Sequence, residues 1–289
     1  MGNSKNKATI IIPHYNQKEC LKVLLPSIAN QTFTDYEVII IDDFTPDRSA
    51  PEYIRSLIKD YPKMRLVENA ENVRFVRTCN KGIRLAEGEY ICLLNQDTKV
   101  KNNFLQRNVE IMDADSSIGA LSCIIVDKDG NNWFTGGMFE KGLSVNLQDD
   151  FQGIRTVDFV AGTAAFYRKE VFDKIGLFDE SFHMYHEDVE FGLRMKARTD
   201  YKACTFPEKL VIHYLVQSIP QGDFSYYLIR NQIILARRYG KRHILKILLH
   251  NLREIANLLF VSAVRRDLKP LLPSRYVIRG TLAGLIERR

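Results

Sequence analysis

Up to Ala114 the apolar positions keep two alternating rhythms. Short β-branched runs break off into polar residues, and segments with 3–4 spacing follow them. Ala8 to Pro13 predicts a strand, closed by proline and followed by a His14-Tyr15-Asn16-Gln17 loop. Glu19 to Ala29 predicts a helix from Leu21, Leu24, Leu25 and Ile28. Tyr36 to Ile41 is a second strand, ended by Asp42-Asp43, and Ala50 to Tyr61 a helix stopped by Pro62. Met64 to Val67 is a third strand, Val76 to Ala86 a helix with Gly88 as its stop, and Asn103 to Ala114 another helix. Between them lies Tyr90 to Val100. Its apolar run, Ile91 to Leu94, predicts a strand buried on both faces that breaks into Asn95-Gln96-Asp97-Thr98. Strands alternating with helices of this length predict a parallel α/β sheet.

The rhythm changes after Ala120. Leu121 to Val126, Trp133-Phe134 and Val157 to Tyr167 predict strands joined by Gly-rich or polar loops, an antiparallel extension of the sheet. Glu170 to Ile175 and Glu187 to Thr199 predict helices, Lys209 to Tyr214 a last strand, and Tyr226 to Tyr239 a helix. Arg242 to Arg266 predicts a long amphipathic helix, whose most apolar part, Ile255 to Val264, is too short to span a bilayer.

Composition changes this picture in two respects. The 289 residues carry a net charge of +6, unevenly placed. From Ile229 onward 14 basic residues face 3 acidic ones, a balance of +11, which leaves −5 on the first 228 residues. The division expected is therefore a mildly acidic body (1–228) and a basic amphipathic tail (229–289), suited to an anionic surface. Alternatively the tail's apolar stripe packs on the body or on a second copy in a homodimer. Five dispersed cysteines without a CxxC pair predict free thiols and no zinc site. The polar N-terminus has no signal-peptide apolar region, so a cytoplasmic location, peripheral on the inner face of the membrane, is expected.

Candidate chemistry lies in three acidic clusters at strand ends or helix starts: Asp42-Asp43, Asp97 and Glu187-Asp188. Each alone is equally a helix cap or a turn. Together, at the carboxyl edge of one parallel sheet, they repel one another unless a cation or polar ligand shares the site. That favours a metal–diphosphate or nucleotide-sugar site.

Four segments carry a family resemblance. They are Thr9 to Asn16 (TIIIPHYN), Glu37 to Asp43 (EVIIIDD), Asn80 to Ile91 with Asn95-Gln96-Asp97, and Gly176 to Arg194 (GLFDESFHMYHEDVEFGLR). In order and content they resemble glycosyltransferase family 2, over about residues 8 to 240. Phe159 to Phe166 and the Tyr227…Arg230-Asn231 segment resemble its rhamnosyltransferase-like branch.

The resemblance implies a GT-A (Rossmann-like) fold, a mixed, mainly parallel sheet flanked by helices. It also implies inverting transfer from a nucleoside-diphosphate sugar. Pro13, Tyr15 and Asn16 would line the nucleotide pocket, with Asn80, Asn95 and Gln96 among the residues around the nucleotide sugar. Asp43 would accept from the base N3–H, with Asp42 beside it. Asp97 matches the last acid of the DxD motif and would hold Mg²⁺ or Mn²⁺ on the diphosphate, with His213 nearby. Asp188 matches the general base, and Glu187 would orient it or bind the acceptor. The motif's first position is Asn95, whose amide is a poorer ligand for a hard cation than a carboxylate.

The implied partners are a dTDP- or UDP-sugar, a glycan or polyprenyl-diphosphate-linked glycan acceptor, and an anionic membrane surface. A nucleotidyltransferase expects a Gly-rich basic loop after the first strand, where His14 to Gln17 stands instead. A nucleic-acid module expects basic groups interleaved with exposed aromatics, and the tail is aliphatic. No nucleic-acid partner is therefore expected.

Overall fold

The computed structural model describes residues 7–215, 221–249, 251–253 and 271–287. A ten-stranded sheet forms its centre. The first half alternates β1 (Ala8–His14), α1 (Leu21–Ala29), β2 (Tyr36–Asp42), α2 (Ala50–Ile58), β3 (Met64–Glu68), α3 (Phe75–Leu85) and β4 (Tyr90–Leu94). β4, β1, β2 and β3 lie side by side and parallel. Their residues are Val/Ile/Leu-rich because helices cover both faces, and every residue of β1 and β4 is buried.

The second half turns the sheet mixed. β5 (Thr98–Val100), α4 (Phe104–Ala114), β6 (Ile118–Val126) and β7 (Asn132–Phe134) are followed by a hairpin of β8 (Gly136–Glu140) and β9 (Leu143–Leu147). Then come β10 (Arg155–Val157), β11 (Ala164–Arg168), α5 (Lys169–Ile175), α6 (Glu187–Arg198) and β12 (Lys202–His213). β11 runs antiparallel between β4 and β6, while β12 is parallel to β6 and antiparallel to β5 and β10. The mixed, mainly parallel sheet expected above is what forms.

Three elements differ from expectation. The strand expected over Val157 to Tyr167 is two strands, β10 and β11, separated by a loop at residues 158–163. β12 begins seven residues before the expected Lys209, because Pro207 falls at an irregular stretch of pairing between Phe206 and Lys209 and hides the strand's continuity. The β8–β9 hairpin was not expected as strands, although Leu143-Ser144-Val145-Asn146-Leu147 alternates apolar and polar residues.

α7 (Gln221–Tyr239) runs through the expected boundary between residues 228 and 229 without a break. α8 (Leu271–Ile286) packs along it. The approach is close at two glycines: a Cβ on Gly280 would lie 2.8 Å from the Tyr226 carbonyl oxygen, and one on Gly284 2.6 Å from that of Arg230. Arg237 donates to the Gly284 and Glu287 carbonyls at 2.9 and 2.8 Å, capping the end of α8. The long helix expected over Arg242 to Arg266 is seen at residues 244–249 and 251–253, and its remainder lies outside the described residues. No helix among the described residues is long and apolar enough to cross a membrane.

Candidate active site

The carboxyl ends of β1, β2 and β4 and the loops beside them open into one cleft of about 860 Å³. Asp43, Asp97, Glu187 and Asp188 all line it, although they lie far apart in the chain. Pro13, Tyr15, Asn95, Gln96 and His213 line it as well. Asp42, Asn16 and Asn80 do not.

The reasons for that division are local. Asp42 is fully buried behind the edge, 2.8 Å from His14 Nδ1, and its carboxylate also accepts from the Thr45 N–H. Burial works the other way, but these bonds hold its pKa below the usual carboxylate range. Asn16 has φ 56° and fastens the loop through its N–H to Thr45 Oγ1 at 3.1 Å. Asn80, on α3, is buried and clamps another segment: it donates to the Phe178 carbonyl at 2.9 Å and accepts from the Phe178 N–H at 3.1 Å.

Asp43 takes up three donors, Asn69 Nδ2 at 2.8 Å and the backbone N–H groups of Val73 and Arg74 at 2.9 Å each. A carboxylate offers about four acceptor sites, so about one remains for a ligand N–H. Gln96 joins β4 to the loop after β1: its side chain accepts from the Tyr15 N–H at 3.2 Å and donates to the Tyr15 carbonyl at 3.1 Å.

Asp97 and His213 meet because β5 pairs antiparallel with β12, setting His213 opposite Thr98. His213 Nε2 lies 3.2 Å from Asp97 Oδ2, and the Trp133 ring stands edge-on to the imidazole at 4.5 Å. Both residues are nearly buried, and His213 Nδ1 has no hydrogen-bond partner among the described residues. One carboxylate and one imidazole converge here. Among the described residues no group of three or more His, Cys, Asp or Glu does so. Such a pair would supply two ligands to a divalent cation, which would need others besides.

Glu187 and Asp188 open α6. The 158–163 loop brings Gly162 against them, and its N–H donates to Asp188 Oδ2 at 3.0 Å, while the Val189 N–H donates to Oδ1 at 2.8 Å. The Asn95 N–H donates to the Thr163 carbonyl at 2.9 Å, tying that loop to the end of β4. Burial raises the pKa of both acids. Glu187 is pushed up to about 8, first by burial and then by the charge of Asp188, and its Oε2 has no partner among the described residues. Near neutral pH Glu187 therefore keeps its proton and Asp188, held by two N–H donors, carries the charge.

The bend before α6 holds His183, Tyr185 and His186 at φ 60°, 63° and 66°, which is unfavourable for side-chain-bearing residues. α7 supplies what holds it. Asn231 is fully buried, and its Nδ2 donates to the carbonyls of Phe182, Met184 and Tyr185, each at 2.8 Å. Its Oδ1 accepts from Arg230, whose guanidinium also donates to the Ser181 carbonyl at 2.8 Å and pairs with Glu287 at 2.8 Å. Sequence reasoning placed these two residues in the segment that resembles the rhamnosyltransferase-like branch and gave them no role of their own.

Residues 9–176 match the family described as glycosyl transferase family 2. The chain belongs to glycosyl transferase family 2. This family 2 chain is 23% identical over 239 residues to the amylovoran biosynthesis glycosyltransferase AmsB of Erwinia amylovora, covering 81% of the chain and 72% of that protein. It is 36% identical over 100 residues to an uncharacterized glycosyltransferase, YibD, of Escherichia coli, covering 35% of the chain but only 28% of that protein. Among solved structures it superposes on the mannosyltransferase PcManGT of Pyrobaculum calidifontis, in complex with GDP-Man and Mn²⁺, with a TM-score of 0.63 and 17% identity over 99% of the chain and 89% of that protein. The fold is GT-A.

Two outcomes follow from the geometry. Glu187 has a raised folded-state pKa, so unfolding releases its proton between the unfolded value of about 4.3 and the folded one of about 8. Its contribution is favourable at low pH and is lost as pH rises through that window. Thermal melts of Glu187→Gln should show a flatter fall in Tm between about pH 5 and about pH 8 than the parent. Asn231→Ala leaves three carbonyls without their donor and should lower stability by about 2 kcal/mol in urea melts. Hydrogen exchange should lose protection first at residues 183–188.

Proposed function

We propose that the protein is an inverting glycosyltransferase. It moves a hexose or deoxyhexose, rhamnose included, from a dTDP- or UDP-sugar onto a hydroxyl of a glycan or lipid-linked glycan in cell-surface polysaccharide synthesis. The observation that carries this reading is the common cleft, which Asp188, the Asp97–His213 pair and Asp43 all line. Family membership, the name of the amylovoran relative and the nucleotide sugar in PcManGT support it.

Inversion is a single in-line displacement at the anomeric carbon. The acceptor hydroxyl attacks, its proton passes to Asp188, and the bond to the nucleoside diphosphate breaks on the opposite face. Asp188 suits the role because two backbone donors fix its orientation and leave it the ionised member of its pair. Protonated Glu187 has a hydroxyl to donate and positions the acceptor oxygen. Asp43 and Tyr15 hold the nucleoside. Asp97 and His213 hold a divalent cation, Mg²⁺ or Mn²⁺. When bound, it neutralises charge on the departing diphosphate.

The helical stretch after α7 exposes Leu245, Leu249 and Leu252, and α8 exposes Ile278, Leu282 and Ile286. With the basic residues beside them, these faces suit an anionic membrane interface at which a lipid-linked acceptor is presented.

Asp188→Asn is expected to cut turnover, assayed as nucleoside diphosphate release, by at least about a hundredfold while nucleotide affinity is unchanged. Undiminished turnover in that variant removes Asp188 from the mechanism. With two protein ligands among the described residues, metal binding should depend on nucleotide. Titration calorimetry of UDP and dTDP should show tighter binding with Mn²⁺ than with EDTA, and Asp97→Ala should erase the difference.

A further inference from the structure

Arg74 stands at the start of α3 with φ 72° and ψ 168°. That backbone region is essentially reserved for glycine, and a side-chain-bearing residue persists there only when its surroundings hold it. Here they do: the Arg74 N–H donates to Asp43 Oδ2 at 2.9 Å. A strained arginine invites the question of what its side chain does.

Arg74 lines the cleft. Five acids line that cavity, Asp43, Asp97, Glu187, Asp188 and Asp223, yet among its described lining residues Arg74 is the single Lys or Arg. Nearby cations are committed elsewhere: Arg77 pairs with Glu180 at 3.0 Å and Arg230 with Glu287 at 2.8 Å. Arg74 forms no ion pair with a described residue. Its guanidinium lies over the Tyr227 ring, 5.4 Å from the centroid, a contact that steadies the side chain and uses none of its N–H groups, which have no hydrogen-bond partner among the described residues. The pKa of neighbouring His183 is lowered, first by burial and then by Arg230, Arg74 and Arg77, so this corner is electropositive.

We propose that Arg74 is the cleft's anion-recognition residue and binds a phosphate of a reacting substrate through its guanidinium fork. The planar fork matches phosphate oxygens bidentately. The inference rests on reading the cleft as a nucleotide-sugar site and adds to it a second countercharge, separate from the Asp97–His213 pair. The phosphate belongs either to the donor's diphosphate or to a phosphate-bearing acceptor, and one experiment separates the two.

The full chain, Arg74→Gly and Arg74→Ala are titrated with UDP, dTDP, uridine, thymidine and farnesyl diphosphate, each with Mn²⁺. For a donor phosphate, both variants bind UDP or dTDP about tenfold or more weakly, with nucleoside and farnesyl diphosphate affinities unchanged. For an acceptor phosphate, farnesyl diphosphate alone weakens by that factor. Thermal melts supply an independent check on folding and strain: glycine fits the backbone here and alanine does not, so Arg74→Gly should melt no lower than Arg74→Ala. A parent that binds these ligands, with both variants binding all of them within twofold of it, overturns the role of Arg74. A parent that binds no nucleotide and no farnesyl diphosphate overturns the nucleotide-sugar reading itself, and this inference with it.

Discussion

Two carboxyl groups adjacent in the chain and withdrawn from water cannot both ionise cheaply. Much around the cleft follows from that constraint. Gly162 and Val189 give both their N–H groups to Asp188 and none to Glu187, which decides which acid keeps its proton. The choice is built into the backbone, since the Gly162 donor exists only because the strand breaks between β10 and β11. A continuous strand there would spend its N–H groups on ladder bonds. The break thus differentiates two neighbouring acids into an ionised carboxylate and a neutral one that keeps its proton.

The second requirement is rigidity. The acids sit after a bend with three residues at positive φ, which local sequence does not favour. α7 stabilises the bend from behind through Asn231. α8 supports α7 in turn, with Gly280 and Gly284 allowing close contact and Glu287 pairing with Arg230. A body ending at residue 228 would leave out Arg230 and Asn231. The C-terminal helices therefore belong to the architecture of the site, whatever surface their exposed leucines meet.

Much of the fold could be read from the chain because its first half obeys one rule: continuous apolar runs for doubly covered strands and 3–4 spacing for helices. The acids at the ends of those runs were legible for the same reason, since a buried strand ending in carboxylates marks the sheet's functional edge. What could not be read depended on partners distant in sequence. Asn80 carries a family motif, yet its amide is spent on Phe178, and no local pattern separates a ligand-binding amide from a clamping one. Asn231 looks like a defect in an apolar stripe until the three carbonyls it meets are known. β12 was half hidden by Pro207, because its pairing skips that position.

The asparagine at position 95 fits the same electrostatic logic. With Asp43, Asp97, Glu187, Asp188 and Asp223 already lining one cavity, a further carboxylate would add repulsion among them. At Asn95 the backbone works instead, its N–H tying β4 to the Thr163 carbonyl and so to the loop that feeds Asp188. With one carboxylate and one imidazole among the described residues, a cation site here would need further ligands from water or from a bound anion. Binding of a cation and of that anion would then be mutually dependent. An acid-lined cleft with one guanidinium among its described lining residues would accept an anion more readily with a cation bound beside it.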